Sequence, residues 1–409
     1  MFKLEVLSPT HIGNGGKISK LDFGIRNNHV YIFSLHKIME GMSEANLNKL
    51  ISFVESYGEN GSFTNMGELL TQEFRLSRWE TMCNYIVPLI DTDRGLRDIN
   101  EHIKTGDHKV YIPGSSLKGA IRTAITYCLL KDRRYRFEVE RRGETPYMVL
   151  IKPNGTRIEG LTRDRRGNMR SDTEKLEREI NKDLFGGSPE KDIFKTLILS
   201  DSASKEANNC LEVRKVYVAN TSSFSKNRRG RVIKMHPEYY ECIKKDTVFE
   251  NIRVKLKENL KETNVASSYR GTINYIENWK ECVYRFSMDL LETEIKFWSS
   301  EQVEKNISRA YSGSPHREIV RSFKKDEVIK HLKKIKEINE PQAPVIRLGK
   351  LSGYFAHSAG LLLAQNGYDI GDDLANLLFP FQHRGGPHPL TRRLTLDNQT
   401  LGWCRIMPA

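Results

Sequence analysis

The residues of this chain best placed to do chemistry lie where an apolar strand gives way to a helix, in Ile112-Pro-Gly-Ser-Ser-Leu-Lys-Gly-Ala-Ile-Arg122. Val110, Tyr111 and Ile112 read as the end of a buried strand, Pro113 and Gly114 stop it, and apolar residues recur at helical spacing from Leu117 to Leu130. Ser115 or Ser116 can cap such a helix. Its first amides, with Lys118 and Arg122, then face whatever binds there, and a helix start favours a phosphate. A Walker loop is excluded, because the second glycine follows the lysine and no Gly-Lys-Ser/Thr comes after it. On the residues alone two readings stand: a phosphate or RNA contact, and a capped structural turn.

Other stretches offer the same chemistry. Ser8 to Lys17 carries Gly13, Gly15 and Gly16, which let backbone approach a ligand closely, with Lys17 and Lys20 supplying charge; it is either an RNA-backbone contact or a glycine turn between strands. His11 in this loop has no acid or base partner nearby in sequence, which favours a structural or RNA-stacking histidine over a catalyst. Arg214 to Lys234 holds seven basic residues and no acidic one. Within it, Arg228, Arg229 and Arg231 form an arginine loop between two strands, suited to phosphates. The strand, small-residue turn and helix theme returns at Val345 to Gly360, with Arg347 and Lys350 near the turn, and the acid-free segment Gln382 to Arg393 adds Arg384, Arg392 and Arg393. Lys131 to Arg142 interleaves basic and aromatic residues, as a base-stacking surface or a solvated hairpin would. Asp201 closes an apolar strand, Phe194 to Ser200, with no second carboxylate or histidine beside it. It reads as a backbone-bonded aspartate and not a catalytic one.

The chain that must position these residues has 409 of them, enough for two or three domains. With 38% hydrophobic and 29% charged residues, no run of eighteen apolar residues and no apolar signal core at the start, it is expected to be a cytoplasmic globular protein, without a membrane partner. A net charge of +13 favours a polyanionic partner; a charged, thermophile-like surface is the bland alternative. Six scattered cysteines, at 83, 128, 210, 242, 282 and 404, form no Cys-x-x-Cys pair, so reduced, mostly buried thiols are expected, with neither a metal nor another cofactor. Phe2 to Leu7 alternates as a half-buried strand, His29 to Phe33 gives a second, and residues 34–104 read as a helical insertion, including Trp79, Met82, Cys83 and Ile86 at helical spacing. Lys152 to Arg170 looks like a long exposed loop, Asp172 to Leu184 an amphipathic helix and Leu211 to Val218 a strand. Long helices are expected over 288–307 and 318–338, and a closing strand over Gly402 to Ile406. Strands alternating with helices give an α+β fold.

The Ile112 to Arg122 segment resembles the signature of the repeat-associated mysterious proteins, RNA-binding subunits of CRISPR effector complexes. Ser8 to Gly16, Leu184 to Ser202 and the stretch from Ile346 to the C-terminus agree with it. The opening Pro-Thr-His-Ile-Gly-Asn-Gly and the closing proline and arginine segment before Gly402-Trp403 are similar to the larger subunit that caps the 3′ side of the guide RNA in type III-A complexes. The resemblance implies two ferredoxin-like (RRM-like) domains with helical insertions, divided here as 1–235 and 236–409. It also implies a non-catalytic, guide-RNA-binding subunit that contacts the adjacent backbone subunit, assists guide maturation and works beside host trimming nucleases. Lys350 and Ser352 depart from the plainer glycine turn expected there. A metal-independent ribonuclease and a general RNA-binding protein are the alternatives. The former needs paired acid and base groups, and His11, His357, His383 and His388 are unpaired in sequence.

Overall fold

The structure, a computed structural model, describes residues 1–60, 65–91, 96–143, 145–163, 167–220, 236–257, 269–311, 317–358, 360–365 and 391–409. The opening strand, Phe2–Val6, buries Phe2, Leu4 and Val6 and turns Lys3 and Glu5 outward, as period-two alternation demands. It lies inside a four-stranded antiparallel sheet in the order Val248–Ile252, Phe2–Val6, Trp403–Pro408, Val345–Arg347. The two ends of the chain therefore pair along one ladder, from Phe2 opposite Pro408 to Val6 opposite Cys404.

A second sheet has five strands, ordered Gly13–Ser19, Asp98–His102, Glu238–Ile243, Leu211–Asn220, Thr391–Thr395. Asp98–His102 and Glu238–Ile243 run parallel, and the other ladders of this sheet are antiparallel. Each of these sheets draws strands from both sides of residue 235. The result is a mixed α/β molecule of many helices and several sheets.

The central helix, Gly114–Asp132, packs on the helix Trp279–Trp298. Leu117, Ile121, Ile125 and Cys128 are wholly buried, Tyr127 sets its ring 5.2 Å from that of Phe286, and its hydroxyl donates to Asp289. Each such aliphatic side chain contributes about 1.5–3 kcal/mol. All six cysteines are free and buried, as expected.

Several boundaries differ from those read in the sequence. The insertion is helical over Leu35–Glu40, Glu44–Asn60 and Met66–Phe74, but Trp79–Met82 is a 3₁₀ turn and Cys83–Pro88 a strand paired with His29–Phe33. Tyr85, Ile86 and Val87 prefer a pleated surface, and their alternation with a half-buried face outcompetes the helical spacing. The inserted helices enclose a separate small core around Leu50, Leu70 and Trp79. The expected loop at Lys152 to Arg170 holds the short strands Arg157–Glu159, Leu161–Arg163 and Met169–Ser171. Arg136–Arg142 forms a hairpin with Thr145–Ile151, across which Arg157 of the next strand pairs with Glu138 and Glu140, and Arg142 with Glu159. The long helices run Trp279–Trp298, Glu301–Tyr311, Arg317–Ser322 and Lys325–Glu337, broken first at Ser299-Ser300, where Ser299 bonds back to the Ile295 carbonyl.

Candidate nucleic-acid interface

Three turns that are far apart in sequence meet at one cleft of about 280 Å³, lined by Gly13, Ser115, Ser116, Gly119, Gly349 and Lys350 among others. Their approach is built from backbone. Gly349 adopts φ +86°, and a Cβ there would stand 2.1 Å from the His11 carbonyl oxygen, so only glycine fits. The Lys350 amide donates to that same carbonyl at 3.1 Å. On the other side of the turn, the Ser352 hydroxyl donates to the Gly349 carbonyl at 2.6 Å, with His357 Nε2 3.0 Å from it. The closing segment ties both turns down: Leu348 donates to Gly402, and Gly402 to Pro9.

The helix start is assembled differently from the expectation. Pro113 is the N-cap, and Ser115 and Ser116 lie inside the first turn, so neither caps the helix. Asp201 does so from another segment, its Oδ1 accepting from the Gly114 amide at 2.7 Å. This confirms the backbone-bonded reading of Asp201. A Cβ on Gly114 would lie 2.6 Å from the Leu199 carbonyl oxygen; close contact with the neighbouring strand, not an unusual φ, excludes a side chain there. Ser115 is exposed and Ser116 half-buried. Lys118 is half-buried, with Nζ 5.4 Å from the centre of the Phe194 ring. Burial holds its pKa below the ordinary lysine value; Asp192 opposes this, while Arg122 and Lys257 add to it. No carboxylate lies within 4.0 Å of the Lys118 or Lys350 ammonium among the described residues, and Lys350 is exposed.

Several expected RNA contacts are structural. Arg122 is engaged, donating to Asp192 at 2.7 Å and Asn181 at 3.1 Å while stacking 4.2 Å over Phe185. Arg214 is buried between Glu212 and Asp397. Arg347 and Arg392 are buried on either side of Glu294, at 3.4 and 2.6 Å, with Arg347 also over Trp403 and Arg392 over Phe297. Burying a guanidinium requires a charged partner, and the fold supplies one to each. His11 is buried too: Nδ1 meets the Glu241 carbonyl at 2.7 Å, its ring packs edge-on to Tyr240, and a Cβ on Gly13 would be 2.7 Å from Nε2. Burial, above all, pushes its pKa down to about 4, so it is neutral near pH 7. Gly15 is exposed with φ +91°, Lys17 pairs with Asp98 at 3.7 Å, and Arg393 lies 3.9 Å from Glu238. Arg228, Arg229, Arg231 and Arg384, with His383 and His388, lie outside the described residues.

One cluster had no counterpart in the sequence reading. Glu241, fully buried, accepts from the Tyr85 hydroxyl, the His102 amide and the Lys104 ammonium, the last at 2.6 Å. His102 Nδ1 accepts from the Ile12 amide. This network fixes the N-terminal loop behind the cleft; a histidine alternating with buried Asn100 on one strand was its only local signal. Among the described residues no group of His, Cys, Asp and Glu is arranged to hold a metal ion, and no helix is long and apolar enough to cross a membrane.

Known proteins are similar to this chain in sequence and fold. The protein described as CRISPR system Cms protein Csm5 of Methanocaldococcus jannaschii is 23% identical over 317 residues, 75% of this chain. The protein of the same description from Streptococcus thermophilus is 32% identical over 140 residues, 30% of this chain. The matched segments span 66% and 37% of those relatives' own lengths. Two solved structures share the fold over 99% of this chain and the whole of theirs. One is a chain of the cryo-EM Csm-crRNA-target RNA ternary complex of a type III-A CRISPR-Cas system, with TM-score 0.68 and 20% identity. The other is the crystal structure of T. onnurineus Csm5, with TM-score 0.61 and 19% identity. The model of the RAMP superfamily matches residues 3–335, and with that span, the chain belongs to the RAMP superfamily.

Proposed function

We propose that this chain is an RNA-binding structural subunit of a type III-A CRISPR effector complex, capping the 3′ side of the guide RNA. The observation that carries this reading is the convergence of the Gly13, Ser115-Ser116 and Gly349-Lys350 turns on one cleft. Lys118 in the helix that starts there, and Lys350 on the rim, have no carboxylate within 4.0 Å among the described residues. The likeness to Csm5 proteins and to a chain of an RNA-bound Csm complex supports the same assignment. In this role the subunit holds guide phosphates, abuts the adjacent backbone subunit, assists maturation by giving trimming nucleases a place to act, and works in the cytoplasm. In this reading the chain holds two ferredoxin-like (RRM-like) units; the five-stranded sheet has the parallel pair that such a unit needs, in Asp98–His102 and Glu238–Ile243, whereas the ladders of the four-stranded sheet are antiparallel. The subunit is non-catalytic in this reading: His11 is neutral and buried, and His357 is tied to Ser352 and Gly349.

The test is titration of the purified protein with repeat-derived single-stranded RNA over a range of salt. Lys118→Ala and Lys350→Ala should each leave the fold intact, weaken binding, and make the salt dependence shallower by about 0.7 in log–log slope, one phosphate apiece. Unaltered binding by both folded variants refutes the cleft. Cleavage of the RNA without metal, abolished by His357→Ala, establishes a nuclease instead.

A further inference from the structure

Beside the cleft lies a short two-stranded ladder, Leu197–Leu199 with Val254–Leu256. Its position is fixed by the helix start. Leu199 and Ser200 supply the backbone that leaves no room for a Cβ on Gly114, and Asp201 caps the helix. On the partner strand, Val254 and Leu256 pack against the core, whereas Arg253, Lys255 and Lys257 are exposed. The spacing i, i+2, i+4 puts these three cations on one face, successive ones roughly 7 Å apart. Hydrogen bonds hold the edge rigid at both ends: the Arg253 amide donates to Ser200 Oγ at 2.9 Å, and the Lys257 amide to the Thr196 carbonyl at 3.0 Å.

These three cations face solvent. None of the three ends within 4.0 Å of a carboxylate among the described residues. The nearby acids are occupied, Asp201 by the Gly114 amide, Asp192 by Arg122 and the Phe194 amide, and Glu250 by Lys3 at 3.7 Å. Lys257 is close enough to Lys118 for its charge to disfavour protonation there, so the ladder lies near the central helix's lysine. Ile198, directly opposite Lys255, is 38% exposed on the same face, an apolar spot among cations.

We propose that Arg253, Lys255 and Lys257 form a phosphate track that extends the cleft, with single-stranded RNA lying across the ladder and a ribose or base resting on Ile198. This rests on the reading of the chain as an RNA-binding subunit. Uniform cations with an apolar contact and no donor-acceptor pattern suit a sequence-independent backbone contact.

The experiment compares the full chain with the triple variant Arg253→Ala, Lys255→Ala, Lys257→Ala in RNA titrations between about 50 and 200 mM salt. Three lost phosphate contacts make the slope shallower by about 2, so the variant loses roughly 20-fold less affinity over that range than the parent does. Thermal melting should be unchanged, since all three side chains are exposed. Lys255→Arg with Lys257→Arg should retain the parental slope, and Ile198→Ser should weaken binding with no change of slope. If the parent binds RNA and the folded triple variant shows the same slope, the track is refuted and the cleft stands. If the parent binds no RNA, both readings fall. If the variant keeps its RNA affinity but no longer assembles with a neighbouring protein subunit, the face is a protein contact and the RNA track is overturned.

Discussion

Gly349→Ala tests the joint between the two glycine turns, and Gly353→Ala is its internal control. Both residues have positive φ, +86° and +84°, so each alanine carries a similar backbone cost of about 1–2 kcal/mol. They differ in what the new methyl group meets. At 353 nothing lies within 4 Å, whereas at 349 it would stand 2.1 Å from the His11 carbonyl oxygen. That contact cannot persist, so the turns must separate, and the Lys350 amide then loses its 3.1 Å bond to the same oxygen, a further loss of about 1 kcal/mol. Gly349→Ala should therefore destabilise by about 2–4 kcal/mol and Gly353→Ala by about 1–2, measured by urea titration at neutral pH with unchanged denaturant slope. The same Gly349 variant should bind RNA more weakly even where it is folded, because the cleft is made by that contact. Equal destabilisation by the two substitutions would show that the turns are not braced against each other, and the account of the cleft would fail with it.

Glu294→Gln should cost about 3–5 kcal/mol, because it leaves the guanidinium groups of Arg347 and Arg392 buried together without their shared carboxylate; a loss below about 1 kcal/mol in chemical denaturation would refute the pairing. His11 and His331, both held near pKa 4 chiefly by burial, are neutral in the fold but take up protons in the unfolded chain below about 6.5. Their contribution is therefore complete above pH 6.5 and is lost progressively as pH falls towards 4, so stability should decline over that window; a flat profile there, or one unchanged in slope by His11→Gln, contradicts the burial.

Much of the architecture was readable because local and tertiary preferences agree. Phe2–Val6 alternates and is flanked by core on one side; the central helix carries its apolar residues at i, i+3, i+4 and buries that face. Cys83–Pro88 was misread because a short apolar run fits either period, and only its pairing with His29–Phe33 decides. The cleft was visible as three separate glycine or serine turns, but that they share one cavity depends on contacts across hundreds of residues. The arginines failed for the same reason. Arg347 and Arg392 sit in basic, acid-free surroundings in sequence, and the carboxylate that buries both, Glu294, comes from a distant helix. Arg214 was the avoidable case, since Glu212 is two residues away on the same strand and so on the same face.

The helix start shows why cations, more than the helix itself, should decide binding here. A bare helix N-terminus offers its amides and dipole to a phosphate, but here Asp201 already takes the Gly114 amide at 2.7 Å and places a negative charge at the same end. An incoming phosphate would meet that carboxylate as well as the remaining amides, so the dipole contributes less than at an uncapped terminus. Lys118 works in the other direction. It is half-buried, and its ammonium is disfavoured first by desolvation and then by Arg122 and Lys257, a cost that Asp192 offsets only in part. Arg122, which might have shared the ligand, is held by Asp192 and Asn181. A phosphate beside Lys118 would add a counter-charge to a cation that the fold has already desolvated. Asp201 thus fixes the start of the helix that carries Lys118 and takes over the capping that the sequence assigned to Ser115 or Ser116.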